Sequence, residues 1–301
     1  MFKILKRKYY FISNNLSWIF HYIFLDEKKF KIAKREIVCD FGGGSHPLLR
    51  ADIIVDKYLQ GDAERPMDFL DIGSVIVQCD LNKRLPFKDK IINFAFSSHV
   101  IEHISRPKNF LDEMSRCSIR GAIVCPSAMR EELMALRVHL WFIENKNGIL
   151  EMTNKEEPTP RYLGETLCDL MISPDNHVWY NFEKHFKDKF EITYLWSGRI
   201  NYKFLDKQEN FPSWKNPGET VFIPNSRDSF FIFALKIRKI ILKVAARVKR
   251  FISSDKNFDA RAILCCPQCG GGFEYTKDRC YCLSCGKSFR HDAFRIFYFD
   301  V

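Results

Sequence analysis

Apolar residues recur along the first half of the chain in short runs, each ending on a glycine, serine, proline or acidic position. Five runs read as strands: Glu36–Phe41 entering Gly42-Gly43-Gly44, Asp52–Val55 ending at Asp56, Val75–Gln78 before Asp80, Asn93–Phe96 ending at Ser97-Ser98-His99, and Ala122–Cys125 stopped by Pro126. Short apolar runs bounded by turn residues are the pattern of buried strands. Between the fourth and fifth, Phe110, Leu111, Met114 and Cys117 fall on one side of a helix over Pro107–Cys117. Strands alternating with helical or turn segments predict an α/β fold, a parallel sheet with helices on both faces.

Past residue 126 the pattern is less regular. Residues 127–180 read as an insertion over the carboxyl edge of the sheet, carrying His139-Leu140-Trp141-Phe142 and His177-Val178-Trp179-Tyr180. These are either an aromatic lid with an acceptor pocket or a packed cap. A helix over Asn181–Lys189 and strands over Phe190–Leu195 and Ser229–Leu235 complete a domain of residues 37–236. Residues 237–258 then form a linker with a basic amphipathic helix. Ile237, Ile241, Val244, Val248 and Ile252 share one face, and Lys236, Lys239, Lys243, Arg247 and Arg250 another. That apolar face either buries between the flanking domains or faces an anionic bilayer. At the other end, residues 1–36 are basic and aromatic, with Trp18, Phe20, Tyr22 and Phe24. They read as helical packing on the main domain, or as a surface-binding arm.

Charge and cysteines narrow the setting. A formal charge of +10 favours an anionic partner: RNA, a membrane surface or a phosphorylated substrate. No feature calls for an obligate protein partner. Of eleven cysteines, six crowd between Cys265 and Cys285, and the odd total argues against a secreted disulfide framework. No cleavable leader or long uncharged apolar stretch is recognisable. The expectation is a cytoplasmic protein, with attachment to the inner face of the membrane as the alternative.

The glycine turn directly after the first strand is where a nucleotide-type cofactor sits in an open parallel sheet. Glycines there let the backbone approach a ligand without a Cβ clash. Asp56 ends the second strand, where a carboxylate accepts ribose hydroxyls, and Asp80 ends the third, near an adenine. The segments VCDFGGGSHPLLRADIIVD (Val38–Asp56), CDLNKRLPF (Cys79–Phe87) and FAFSSHVIEHIS (Phe94–Ser105) closely resemble class I S-adenosylmethionine-dependent methyltransferases, the type 11 subgroup above all. The resemblance implies a Rossmann-like sheet. It also implies that Asp40 and the backbone at Gly42 and Gly44 hold the methionine part, Asp56 the ribose, and Asp80 and Leu81 the adenine. Ser97 and His99 would then lie near the sulfonium. Pro47 departs from the family pattern by shortening or displacing the helix after the turn.

Transfer of the methyl group requires an aligned acceptor and a path for its proton. His99 and His103 are the catalytic candidates by position, with His139 and His177 as further candidates by residue type. Glu102 reads as a residue that orients its neighbours. The Asn/Asp-Pro-Pro-aromatic motif of amino methylation on bases is missing, and Cys125-Pro126 has no second feature marking it as a nucleophile. The leading acceptor is a small molecule, a glycan or a lipid-linked precursor. An RNA or a translation factor is the alternative, and a non-catalytic binding module is a third reading.

The last segment, residues 259–301, carries Cys266-x-x-Cys269, twelve residues, then Cys282-x-x-Cys285. Four thiolates at this spacing predict a closed tetrahedral site for a structural Zn2+. The segment resembles the zinc ribbon of Trm112-like proteins, small partners that stabilise class I methyltransferases. It serves either as a structural cap or as an RNA-binding element.

Overall fold

The computed structural model describes residues 29–59, 69–134, 138–155, 185–205, 229–254 and 258–299. Five parallel strands form its centre: β1 Val38–Phe41, β2 Ile53–Asp56, β3 Val75–Gln78, β4 Ile92–Ser98 and β5 Ser118–Pro126, ordered β3-β2-β1-β4-β5. A strand at Glu191–Ser197 lies antiparallel to β5, next to a helical turn over residues 185–190. Helix α1, Pro107–Cys117, has the predicted bounds, with proline in its first turn, where the missing N–H costs nothing.

The pleat sorts the strand residues into two cores. Cys39, Phe41, Ile53, Val55 and Val77 face α1 through Phe110, Leu111 and Met114. Val38, Ile54, Phe94, Phe96, Ala122 and Val124 face the other way, onto Leu48, Leu49, Leu242 and Ala246. Phe30 joins the second core against Phe94 and Phe96. The aromatic residues Trp18, Phe20, Tyr22 and Phe24 lie outside the described residues.

The insertion contains helix α2, Ala128–Met134, and a hairpin of β6, Trp141–Lys146, and β7, Ile149–Asn154. Its turn is Asn147-Gly148, with both residues at positive φ, the pairing a two-residue hairpin demands. After the strand at Glu191–Ser197 (β8), Tyr202–Phe204 (β9) adds to β7 in a separate three-stranded sheet. His177, Trp179 and Tyr180 are outside the described residues.

The strand expected at Ser229–Leu235 is instead part of a 25-residue helix, α3, Ser229–Ser253. A seven-residue apolar run cannot by itself separate strand from helix, and no glycine or proline interrupts the chain before Ser253. Leu242 and Ala246 form the buried seam of α3. Ile237, Ile241, Val244, Val248 and Ile252 are exposed, joined by Ile240 and by Phe251, which is 78% accessible. The expected basic face is also amended. Arg250 turns inward to Ser74 Oγ at 3.1 Å and to the carbonyl of Ile72. The carboxyl end of α3 is pinned by Arg50, buried against Asp52 at 2.8 Å and donating to the carbonyls of Ser253 and Glu36.

A short helix, α4, Ala260–Ile263, leads into the cysteine ribbon, whose strands are β10 Phe273–Tyr275, β11 Arg279–Cys282, β12 Ser288–Asp292 and β13 Ile296–Tyr298. β13 pairs parallel with β3, Phe297 opposite Val77, so ribbon and central strands share a ten-stranded sheet. Phe297 and Phe299 enter the core that contains Phe41 and Val77.

Candidate active site

Parallel strands align their carboxyl ends, and that alignment collects the expected residues. Asp40 lies within β1, almost fully buried, and its Oδ2 accepts the Leu48 N–H at 2.7 Å, which folds the Ser45–Leu49 stretch back over the strand end. Gly42 has φ +82° and Gly44 φ +49°. A Cβ at Gly42 would come within 2.3 Å of the Val100 side chain, so only glycine fits there. Gly44 donates its N–H to Asp56 Oδ2 at 2.9 Å, and Asp56 Oδ1 accepts from Tyr58 N–H at 2.9 Å. The turn after β1 is thus tied to the end of β2.

Asp80, after β3, accepts from the backbone and side chain of Asn82 and pairs with Lys57 at 3.1 Å. Burial opposes its charge, but the Asn82 and Lys57 contacts hold its carboxyl below the usual range. Leu81 beside it is buried. Asp80 also borders a cleft between central sheet and ribbon, lined by Lys83, Arg84, Lys287, Phe289 and Phe299. His46, beyond the glycines, contacts Arg238 of α3 at 2.9 Å.

At the end of β4, the hydroxyl of Ser97 is buried with no hydrogen-bond partner. A buried hydroxyl without a partner is costly, and a ligand at the strand ends would satisfy it. His99 adopts the left-handed conformation, φ +54°, and places its ring between Glu102 at 3.3 Å and Glu191 at 3.5 Å. Burial opposes a charged ring, but the two carboxylates outweigh it and raise the His99 pKa to about 9. The two carboxylates thus favour the protonated form of His99, which suits it poorly to accepting a proton. His103 behaves oppositely: burial is the main cause that lowers its pKa to about 4. Its Nδ1 lies 3.1 Å from the carbonyl of Val138, a group that only accepts, so Nδ1 carries the proton and Nε2 the lone pair. His139 is buried, its Nδ1 2.5 Å from Glu131 Oε1. Cys125 is buried too, and burial holds its thiol protonated, consistent with a packing role.

Glu102 is the residue sequence reasoning undervalued. It is fully buried, neither carboxylate oxygen has a hydrogen bond, and His103 and His139 stand beside it. The charged residue inside the apolar stretch Val100–Ile104 was the available signal.

In the ribbon, Cys266, Cys269, Cys282 and Cys285 converge with their sulfurs within 4.8 Å of one another. The pairs Cys266–Cys285 and Cys269–Cys282 lie at 3.7 and 3.4 Å. Four thiolates bound tetrahedrally at about 2.3 Å from a zinc ion are ~3.8 Å apart, so the cluster fits that ion. Gly270 and Gly286, at positive φ, close the two knuckles. Cys265 and Cys280 are buried thiols outside the cluster.

Residues 50–125 match the model of the type 11 methyltransferase family, described as a methyltransferase domain. No curated protein sequence matches the chain. Among solved structures, the YcgJ protein from Bacillus subtilis is 17% identical, with 36% of this chain and 51% of that chain covered and a TM-score of 0.28. An S-adenosylmethionine-dependent methyltransferase from Mesorhizobium loti is 15% identical, with 41% and 59% covered and a TM-score of 0.27. A chain from the complex between the Haloferax volcanii Trm112 methyltransferase activator and a methyltransferase is 15% identical, with 60% and 88% covered and a TM-score of 0.34. The chain spans 44 to 51% of the length of the first three solved structures it matches. The match over residues 50–125, which span β2 to β5, makes this stretch similar to the methyltransferase domain of the type 11 family, on a Rossmann-like sheet whose first strand leads into the glycine turn.

Proposed function

We propose that the protein transfers a methyl group from S-adenosylmethionine to a hydroxyl on a small-molecule, glycan or lipid-linked acceptor. The observation that carries this reading is the convergence of the Gly42–Gly44 turn, Asp56 and the partnerless Ser97 hydroxyl at aligned strand ends, bordering or inside the matched segment. Bound there, S-adenosylmethionine supplies a methyl group already activated on a sulfonium sulfur. Asp40 and the Gly42 and Gly44 backbone hold its methionine part, Asp56 its ribose, and Asp80 with Leu81 its adenine. Ser97 and His99 lie toward the sulfonium. Glu102 and Glu191 flank the His99 ring, and the neutral His103 keeps a lone pair at its Nε2.

The ribbon holds one structural Zn2+ through Cys266, Cys269, Cys282 and Cys285. Four protein ligands leave no open position for catalysis.

Two surfaces bear on the acceptor. α3 combines exposed Ile240, Val244, Val248 and Phe251 with exposed Lys243 and Arg247, the make-up of an interfacial anchor at an anionic bilayer. No helix among the described residues is long and apolar enough to cross a membrane. This face supports a cytoplasmic protein held at the inner membrane surface near a lipid-linked acceptor. The cationic cleft of Lys83, Arg84 and Lys287 favours the second reading, an RNA acceptor.

The test is calorimetry with S-adenosylhomocysteine. The wild type is expected to bind in the micromolar range or tighter. Asp56→Ala should weaken binding about tenfold or more, since hydrogen bonds to a charged group contribute roughly 1.5–3 kcal/mol. Absence of binding by the wild type removes the cofactor assignment.

A further inference from the structure

The turn after β4 and the segment entering β6 are locked together by two hydrogen bonds. Leu140 N–H donates to the Glu102 carbonyl at 2.7 Å, and the Trp141 indole N–H donates to the Ile104 carbonyl at 2.8 Å. This tie sets Glu102, His103 and His139 side by side, with one ligand atom from each within 4.8 Å of the others. The two imidazole rings meet edge to face, centroids 4.6 Å apart.

Three features distinguish the cluster from ordinary core packing. Glu102 is wholly buried, and neither of its oxygens makes a hydrogen bond. The His99 ring 3.3 Å from its Oε1 supplies charge but no aligned donor. A buried carboxylate left in this state calls for a further positive partner. Next, both histidines are oriented through their Nδ1 atoms. His103 Nδ1 faces the Val138 carbonyl at 3.1 Å, and His139 Nδ1 faces Glu131, which is held in turn by Lys155 at 2.6 Å. Metal-ligating histidines are fixed this way, by a carbonyl or carboxylate behind the ring that leaves the other nitrogen to bind. Finally, the cluster lies beside the cofactor turn, because Val100, one residue before the Ile101–His103 turn, packs directly on Gly42.

We propose that Glu102, His103 and His139 bind one divalent transition-metal cation of the Zn2+, Mn2+ or Fe2+ class, in a site separate from the cysteine ribbon. Two imidazoles and one carboxylate suit such ions better than Mg2+ or Ca2+, which prefer all-oxygen shells. Donors about 2.1 Å from one tetrahedral ion lie ~3.4 Å apart, so these atoms, within 4.8 Å of one another, draw together on binding. Three protein ligands leave open positions, which water or an acceptor hydroxyl can fill. A hydroxyl bound there has its pKa lowered and its oxygen fixed in place. That role rests on the methyltransferase reading; the binding of the cation does not.

The experiment uses the full chain with ribbon zinc in place, titrated with Mn2+ followed by electron paramagnetic resonance and with Co2+ followed by absorption. The wild type should take up one equivalent beyond the ribbon zinc. Its Co2+ spectrum should show ligand-field bands without the thiolate charge-transfer band of a cysteine site. Glu102→Gln and His139→Asn should each weaken Mn2+ binding at least 100-fold. Glu131→Gln, which removes only the orienting carboxylate, should weaken it about 10- to 100-fold and serves as the deciding variant if the other two do not fold. Unchanged Mn2+ affinity in folded variants, or no uptake of Mn2+, Co2+ or Zn2+ beyond the ribbon equivalent, overturns the proposal. Parallel calorimetry with S-adenosylhomocysteine separates the two readings. Cofactor binding without metal uptake removes the cation site alone, and metal uptake without cofactor binding removes the methyltransferase reading alone.

Discussion

The central sheet and the cysteine ribbon reach order by different routes. The sheet is covered on both faces by apolar cores, with α1 on one side and α3 on the other. The ribbon has short strands of three to five residues and a four-cysteine cluster whose chemistry calls for a metal. Yet the two share one sheet, because β13 pairs with β3 and would otherwise leave that strand as an open edge. The comparison teaches that the ribbon is both a self-stapled unit and the cover of its neighbour. Its loss should therefore be felt by the cofactor domain.

The largest expected effect follows from removing the ribbon's metal. Cys282→Ser, or a strong chelator, should abolish the ribbon zinc and with it a contribution on the order of 10 kcal/mol to ribbon folding. Calorimetric scanning of the wild type should show one cooperative transition, and Cys282→Ser should lower the melting of the whole protein. Two independent transitions, with the cofactor domain unmoved, would break the shared-sheet picture. A smaller effect isolates the interface from the metal. Phe297 is fully buried against the central core, so Phe297→Ala should cost about 3–5 kcal/mol in chemical denaturation while leaving zinc content unchanged.

The smallest effect concerns α3, the opposite cover of the sheet. Lys243→Gln and Arg247→Gln should each weaken co-sedimentation with anionic vesicles by about 1 kcal/mol, less at high salt, with neutral vesicles unaffected. Arg250→Gln should instead destabilise the fold, because its guanidinium is spent on Ser74 and the Ile72 carbonyl. Equal, negligible binding to both vesicle types removes the membrane surface as a partner and shifts weight to RNA.

Several features were legible before any coordinates. The five central strands and α1 announce themselves because each core face recurs every second or every third to fourth residue of one segment. The Asn147-Gly148 hairpin carried an equally local signal, in a dipeptide suited to positive φ at both positions, but its flanking strands lie in a stretch of weak alternation. α3 misled in part. The apolar run Ser229–Leu235 has no local mark of helix against strand, and the helix buries Leu242 and Ala246 rather than its most continuous apolar stripe.

By itself the sequence determined what depends on neighbours in the chain: strand and helix periodicity, the glycine turn after β1, the acidic residues ending β2 and following β3, and four cysteines paired at knuckle spacing. Each of these works through backbone geometry over a few residues, so spacing alone reveals it. Only the tertiary structure decided which distant groups meet. It brought β13 to the edge of β3, turned Arg250 inward, and seated His139 beside Glu102 and His103 from 36 residues away through the Leu140 and Trp141 bonds. Such meetings depend on how two sheets and their connections pack, and the residues that meet carry no mark of their partners in the chain between them.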